Sequence, residues 1–283
     1  MNSVYVILDT HTDLALNDLL TVNIAWIKEN FSIFLMESVP NNLTDQAAVD
    51  YAFQVINRGI DSEDCVKIGV ISREEGDFLK NAYRNDMTPE AFINKRLMLI
   101  TKMLSVSADK EIWARFLGAL KRCELYFRCL NEGIPLRGLE RPDYKPLLFT
   151  NSSSRDISMI ETIMSTVNSS QSKPVLAITG ASHGINLIAN LCRIGQYSCH
   201  FIRLVTDAGY IRPDTPFEQF KINILSKWTL GYAQEFQLQI IPSTLPSEQQ
   251  YALLNSLLNS YSGCALPPNL EYDIEQGSIR KTR

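Results

Sequence analysis

The chain predicts an α/β fold: a mostly parallel sheet flanked by helices, with a helical insertion. Three observations carry that prediction. Four largely apolar runs, Val4–Leu8, Phe31–Met36, Ile134–Leu139 and Val175–Thr179, have strand length and little alternation, as expected of strands covered on both faces. The first 40 residues read strand, helix, strand, the βαβ unit of a parallel sheet. Each run also leads to an ionisable residue: Asp9 and His11, then Glu37, then Glu140, then His183. On neighbouring parallel strands these meet at the carboxyl edge, where open α/β sheets place their ligands.

The elements follow in order. Asn17 can cap a helix through Leu19, Leu20, Val22, Ile24, Trp26 and Ile27 that ends near Asn30. Residues 43–133 are mostly helical and too many for an ordinary βα connection. They read as an insertion that packs over the sheet and roofs the site. Inside it, Thr44 or Asp45 starts a helix stopped by Gly59, and Thr88-Pro89-Glu90 starts a second with a cap and a first-turn proline. Asp109 starts a third, which Gly133 ends. Ser154 caps a helix to about Val167, and His183–Arg193 is helical with Gly195 as its stop. Tyr197–Val205 is a strand, 217–236 a helix, Leu238–Ile241 a strand and Ser247–Tyr261 a helix. Residues 1–266 form one α/β domain, and 267–283, with no apolar period, form an extended or disordered tail.

Bulk properties narrow the function. Net charge is −4 and no basic face is visible, which argues against a nucleic-acid binder. No apolar stretch is long enough for a transmembrane helix, and the start lacks a signal-peptide pattern. None of the six cysteines forms a CxxC. They read as buried thiols in a reducing compartment, so a cytoplasmic location is expected, or secretion without a cleavable signal peptide.

The candidate site residues are His11, Glu37, Glu140, Arg155 and His183. An imidazole binds a metal or acts as a general base according to which nitrogen is open. Glu37 and Glu140 can serve as ligands or as acid–base groups, and Asp9 can orient His11. Arg155, at a helix start, can grip a carboxylate or a developing oxyanion. The plainer readings are ion pairs: Glu140 with Arg137 or Arg141, and Arg155 with Asp156 or Glu161. His200, within a strand, reads as structural. Gly180-Ala181-Ser182-His183-Gly184 is formally GxSxG and raises a nucleophile-elbow alternative at Ser182. The only downstream histidine, His200, sits within the next strand rather than in a loop.

Arg155-Asp156, Met159 and Ile163, then Val175–Thr179, Gly180-Ala181-Ser182-His183-Gly184, Leu187, Leu191 and Gly195-Gln196-Tyr197 resemble the C-terminal half of the Tiki/TraB-like and erythromycin-esterase-like superfamily. The strands ending at His11 and at Leu35-Met36-Glu37 look like its N-terminal motifs, and Gly138-Leu139-Glu140 like the G-x-D strand of its esterase branch. The first motif carries Leu8 where the family's G-x-x-H has glycine. The resemblance spans residues 4–205 as spaced short motifs. It implies two histidines and acidic residues in one cleft. Its members include metal-dependent proteases, macrolide-hydrolysing esterases, a haem-binding lipoprotein group and domains of bacterial toxins.

The expected function is hydrolysis of an ester or amide in a small molecule or peptide. A histidine activates water, directly or through a divalent ion (zinc, manganese or iron) held by His11, His183 and Glu37. The alternative is a non-catalytic binding module, either haem-binding or a bacterial effector domain with a host-protein partner.

Overall fold

The structure is a computed structural model. It describes residues 3–9, 14–56, 62–81, 87–107, 110–143, 152–170, 173–180, 183–184, 187, 190–191, 198–206, 238–241, 246–260, 270–273 and 278–281. His11, Ser182, Cys192, Cys264 and the expected helix at 217–236 lie outside the described residues.

The fold is α/β. Strands β1 (Ser3–Asp9), β2 (Ile33–Pro40), β3 (Leu136–Glu140), β4 (Val175–Gly180), β5 (Ser198–Thr206) and β6 (Leu238–Ile241) form one sheet in the order β3-β2-β4-β1-β5-β6. Every pairing in it is parallel. The apolar runs are strands because both their faces are covered. Tyr5, Ile7, Phe34, Met36, Leu176 and Ile178 face one core; Val4, Val6, Leu8, Leu35, Val175 and Ala177 face the other.

Helices divide between these faces. On the first lie α1 (Leu14–Val22), α2 (Ile24–Asn30) and the insertion between β2 and β3. The insertion comprises α3 (Asp45–Ile56), α4 (Glu63–Lys67), α5 (Arg73–Lys80), α6 (Pro89–Val106) and α7 (Lys110–Asn131). Helix α9 (Ser247–Ser260) joins this face through Leu254. On the second face lie α8 (Ser152–Ser169) and the helical residues Leu187 and Leu191 that follow β4. Adjacent strands β1 and β4 therefore send their connections to opposite faces. That is the switch point at which a crevice opens beyond the strand ends.

The insertion packs on one face of the sheet and reaches the edge through a single helix, α7. Thr88 caps α6 by accepting from the Ala91 N–H at 3.2 Å, with Pro89 in the first turn. Gly133 ends α7 at φ +69°, a backbone state costly for residues with a Cβ. The expected single helix from Asn17 is instead two. The first begins at Leu14 and breaks at Asn23, whose side chain donates to the Leu19 carbonyl at 2.8 Å. A side chain that competes for backbone carbonyls in this way interrupts a helix. The helix expected to be capped by Ser154 starts earlier, at Ser152. In the tail, β7 (Leu270–Asp273) and β8 (Ser278–Lys281) are extended and pair antiparallel.

Beyond β2 the chain turns back along the outer edge of β3. Leu43 O accepts from the Gly138 N–H at 3.0 Å, and Asp45 Oδ1 from the Leu136 N–H at 2.9 Å. The edge is thus closed without a further strand. The approach is tight: a Cβ on Gly138 would lie 2.0 Å from the Pro40 carbonyl oxygen. Gly138→Ala is expected to cost about 1–3 kcal/mol, read as a lower denaturant midpoint with an unchanged slope.

Candidate functional site at the carboxyl edge

The strand ends bring Asp9 (β1), Glu37 (β2) and Glu140 (β3) to one edge. Helix α8 adds Arg155 and Asp156, the helical residue His183 lies three positions beyond the end of β4, and α7 adds Arg122. Asp9, Glu37, Glu140 and Asp156 are all at most 2% exposed, so each must be paired to be tolerated as a charge.

Glu37 is the centre, and it joins the two faces. Its Oε2 accepts from Arg122 Nη1 at 3.2 Å and from the Gly180 N–H at 2.9 Å. Its Oε1 accepts from Arg155 Nη2 at 3.1 Å and lies 3.5 Å from His183 Nε2. Arg122 also donates through Nη2 to Asp9 Oδ2 at 2.6 Å. Arg155 holds Glu140 with Nε at 3.0 and 3.1 Å and with Nη2 at 2.5 Å. Two guanidiniums, one from each side of the sheet, so pair with the three strand-end acids. Four carboxylates against two guanidiniums still leave an excess of negative charge among these residues.

His183 Nδ1 lies 2.5 Å from Asp156 Oδ1. Donation from Nδ1–H fixes the ring and leaves Nε2 facing the edge. There it meets Arg155 Nη1 at 3.1 Å, a contact that uses the Nε2 lone pair. The helical Gly184 lies close against β1, since a Cβ there would lie 2.7 Å from Leu8 Cδ1.

Burial favours the neutral imidazole, but the Asp156 hydrogen bond and the Glu37 charge outweigh it, and the His183 pKa stands above its usual value of 6.5. Burial likewise pushes the Glu140 carboxyl upward, against the pull of Arg155 and with the help of Glu37. A histidine with a raised folded-state pKa adds stability that is complete below its unfolded value and is lost as pH rises through the folded one. The stability difference between wild type and His183→Gln should therefore shrink as pH rises from 6.5 through the folded-state pKa, as measured by denaturant unfolding at a series of pH values.

Four of the five expected residues, Glu37, Glu140, Arg155 and His183, are in this cluster, and His11 lies outside the described residues. Glu140 pairs with Arg155, while Arg137 donates to Asn41 O and Thr166 Oγ1. Arg155 is engaged by Glu140, Glu37 and His183, so its observed work is holding those groups. Asp9 carries Arg122. Sequence reasoning missed Arg122 and gave Asp156 to Arg155 rather than to His183. Arg122 had a signal: it lies on the buried stripe of α7, four residues before the buried Tyr126 and seven before the buried Cys129. Such a cation needs a buried partner. His200 stacks on Tyr5, with ring centroids 4.2 Å apart, in keeping with a structural role.

Among the described residues no group of three or more His, Cys, Asp or Glu side chains could hold a metal ion. Glu37's oxygens are taken by arginines and an amide, and a guanidinium faces His183 Nε2. That donor set does not fit a cation. No described helix is long and apolar enough to cross a membrane.

Fold and site together define an α/β protein with a buried ion-pair and acid–base cluster at the carboxyl edge of a parallel sheet. Comparison with protein-family models, curated proteins and solved structures finds no match.

Proposed function

We propose that this protein hydrolyses an ester or amide bond in a small molecule or peptide, with His183 as the acid–base group. The observation that supports this reading best is the Asp156–His183 pair at 2.5 Å, with Nε2 turned to the strand ends beside Glu37. Asp156 sets the tautomer and stabilises the imidazolium that forms when Nε2 takes the attacking group's proton. Nε2 must first lose Arg155 Nη1, while Nε and Nη2 keep that arginine anchored on Glu140. The protonated Nε2 then has Glu37 Oε1 as its acceptor.

The metal-assisted version of this chemistry depends on His11 and on displacing both arginines from Glu37, so the metal-free form is preferred. The buried thiols Cys65, Cys123, Cys129 and Cys199 fit a reducing, cytoplasmic setting. A panel of activated esters and amides tests the proposal. Turnover by wild type and its loss in a folded His183→Gln variant are expected; equal rates in both, or none in wild type, would overturn it.

One observation favours a second reading, a non-catalytic binding module: Glu37 and Glu140 are both closed by guanidiniums. On that reading, substitutions in the cluster change stability alone.

A further inference from the structure

We propose that Ser38 is the nucleophile of this site, so that hydrolysis runs through a covalent acyl-serine. This rests on the ester-hydrolysis reading above and names the attacking group that reading leaves open. Four observations converge on Ser38.

Its backbone has φ +65°. For a residue with a Cβ the left-handed region costs about 1–2 kcal/mol, and such strain gathers at functional sites. Nucleophile elbows use strained backbone at the top of a parallel sheet to present a serine hydroxyl; Ser38 carries its strain inside β2, at the irregularity near that strand's carboxyl end.

This strained stretch of β2 is held in place from outside. The Ser38 N–H donates to Glu140 Oε1 at 3.2 Å, the β2–β3 register shifts between Met36 and Pro40, and Gly138 admits the displaced backbone.

Glu37, Val39 and Pro40 are buried, whereas Ser38 is partly exposed, and its hydroxyl has no hydrogen-bond partner among the described residues.

Finally, Ser38 directly follows Glu37, whose Oε1 lies 3.5 Å from His183 Nε2. Ser38, Asp156 and His183 thus share one edge and stand in the chain order of the α/β-hydrolase triad, with the serine on β2. Ser38 Oγ must replace Arg155 Nη1 at His183 Nε2 before it can give up its proton. Triads are recognised by geometry and roles rather than by sequence position.

The steps balance. Oγ bonds to the substrate carbonyl carbon and its proton passes to His183 Nε2. The tetrahedral centre collapses, the bond to the leaving oxygen or nitrogen breaks, and that atom takes the proton back from Nε2. Water then adds to the acyl-serine, gives a proton to the same nitrogen, and the acid leaves as Oγ recovers the proton.

A fluorophosphonate probe on the full chain, followed by peptide mass spectrometry, tests this. The expected result is a phosphonyl adduct on Ser38, absent from Ser38→Ala and Ser38→Gly and slowed in His183→Gln. Ser38→Gly relieves the backbone strain and should melt no lower than wild type, so loss of the adduct there is not a loss of fold. Ester turnover should fall at least 100-fold in both Ser38 variants. An adduct on Ser182 instead, or Ser38→Gly retaining turnover that His183→Gln loses, would overturn the serine and leave direct attack by water. Neither adduct nor turnover in wild type would overturn both the serine and the hydrolase reading.

Discussion

Replacing Arg122 with methionine should cost about 3–5 kcal/mol of unfolding free energy, because breaking a buried ion pair strands the partner charges. Arg122 is 7% exposed and faces Asp9 and Glu37, which are 1% and 2% exposed. Burial alone would lower the guanidinium pKa; Asp9, then Tyr126 and Glu37, act against it, and the net direction is upward. The loss is specific to charge imbalance. Adding Asp9→Asn and Glu37→Gln to Arg122→Met should restore part of the stability, since the two carboxylates that Arg122 leaves are then uncharged, while Arg155 keeps Glu140 as its partner. Denaturant melts of the single and triple variants read this directly. A single variant within about 0.5 kcal/mol of wild type, the range of surface substitutions, would show that α7 does not close the cluster.

Asp156→Asn should lower ester turnover by about 100- to 10,000-fold, the range that acid–base groups contribute, while the protein stays folded. An asparagine can offer His183 Nδ1 a donor, which favours the tautomer with its proton on Nε2. That nitrogen then cannot accept a proton. The same change on a purely structural cluster would shift the melting temperature without a catalytic effect. The distinguishing readout is kcat at constant folded fraction.

Much of this fold was legible because burial on both sides writes itself into a strand as an uninterrupted apolar run. Val4–Leu8 and Val175–Thr179 are strands for that reason, and Thr88-Pro89 and Gly133 marked helix ends through local stereochemistry. Strand order was not legible. Placing β4 between β1 and β2 is a non-local pairing with no local signature. The helices α4 and α5 were missed, although Ser72-Arg73-Glu74-Glu75 spells a capping box that does form.

The site divides in the same way. Glu37, Glu140 and His183 were readable because each ends or follows an apolar run, and a parallel sheet gathers such residues at one edge. Which cation meets which acid was not readable, since pairing across the edge depends on how α7 and α8 flank the sheet. Ser38 was invisible: nothing in Met36-Glu37-Ser38-Val39 announces a positive φ. That strained backbone within β2 arises from tertiary constraint, including the close approach to Gly138.

Asp156 holds His183 with Nε2 turned to the strand-end acids, and nitrogen-detected NMR of the ring in wild type and in Asp156→Asn reads that arrangement. A hydrogen-bonded Nδ1 proton that disappears in the variant, and a wild-type titration midpoint above 6.5, are expected. A ring that exchanges freely between tautomers, titrates at 6.5 and ignores the Asp156 substitution would contradict it.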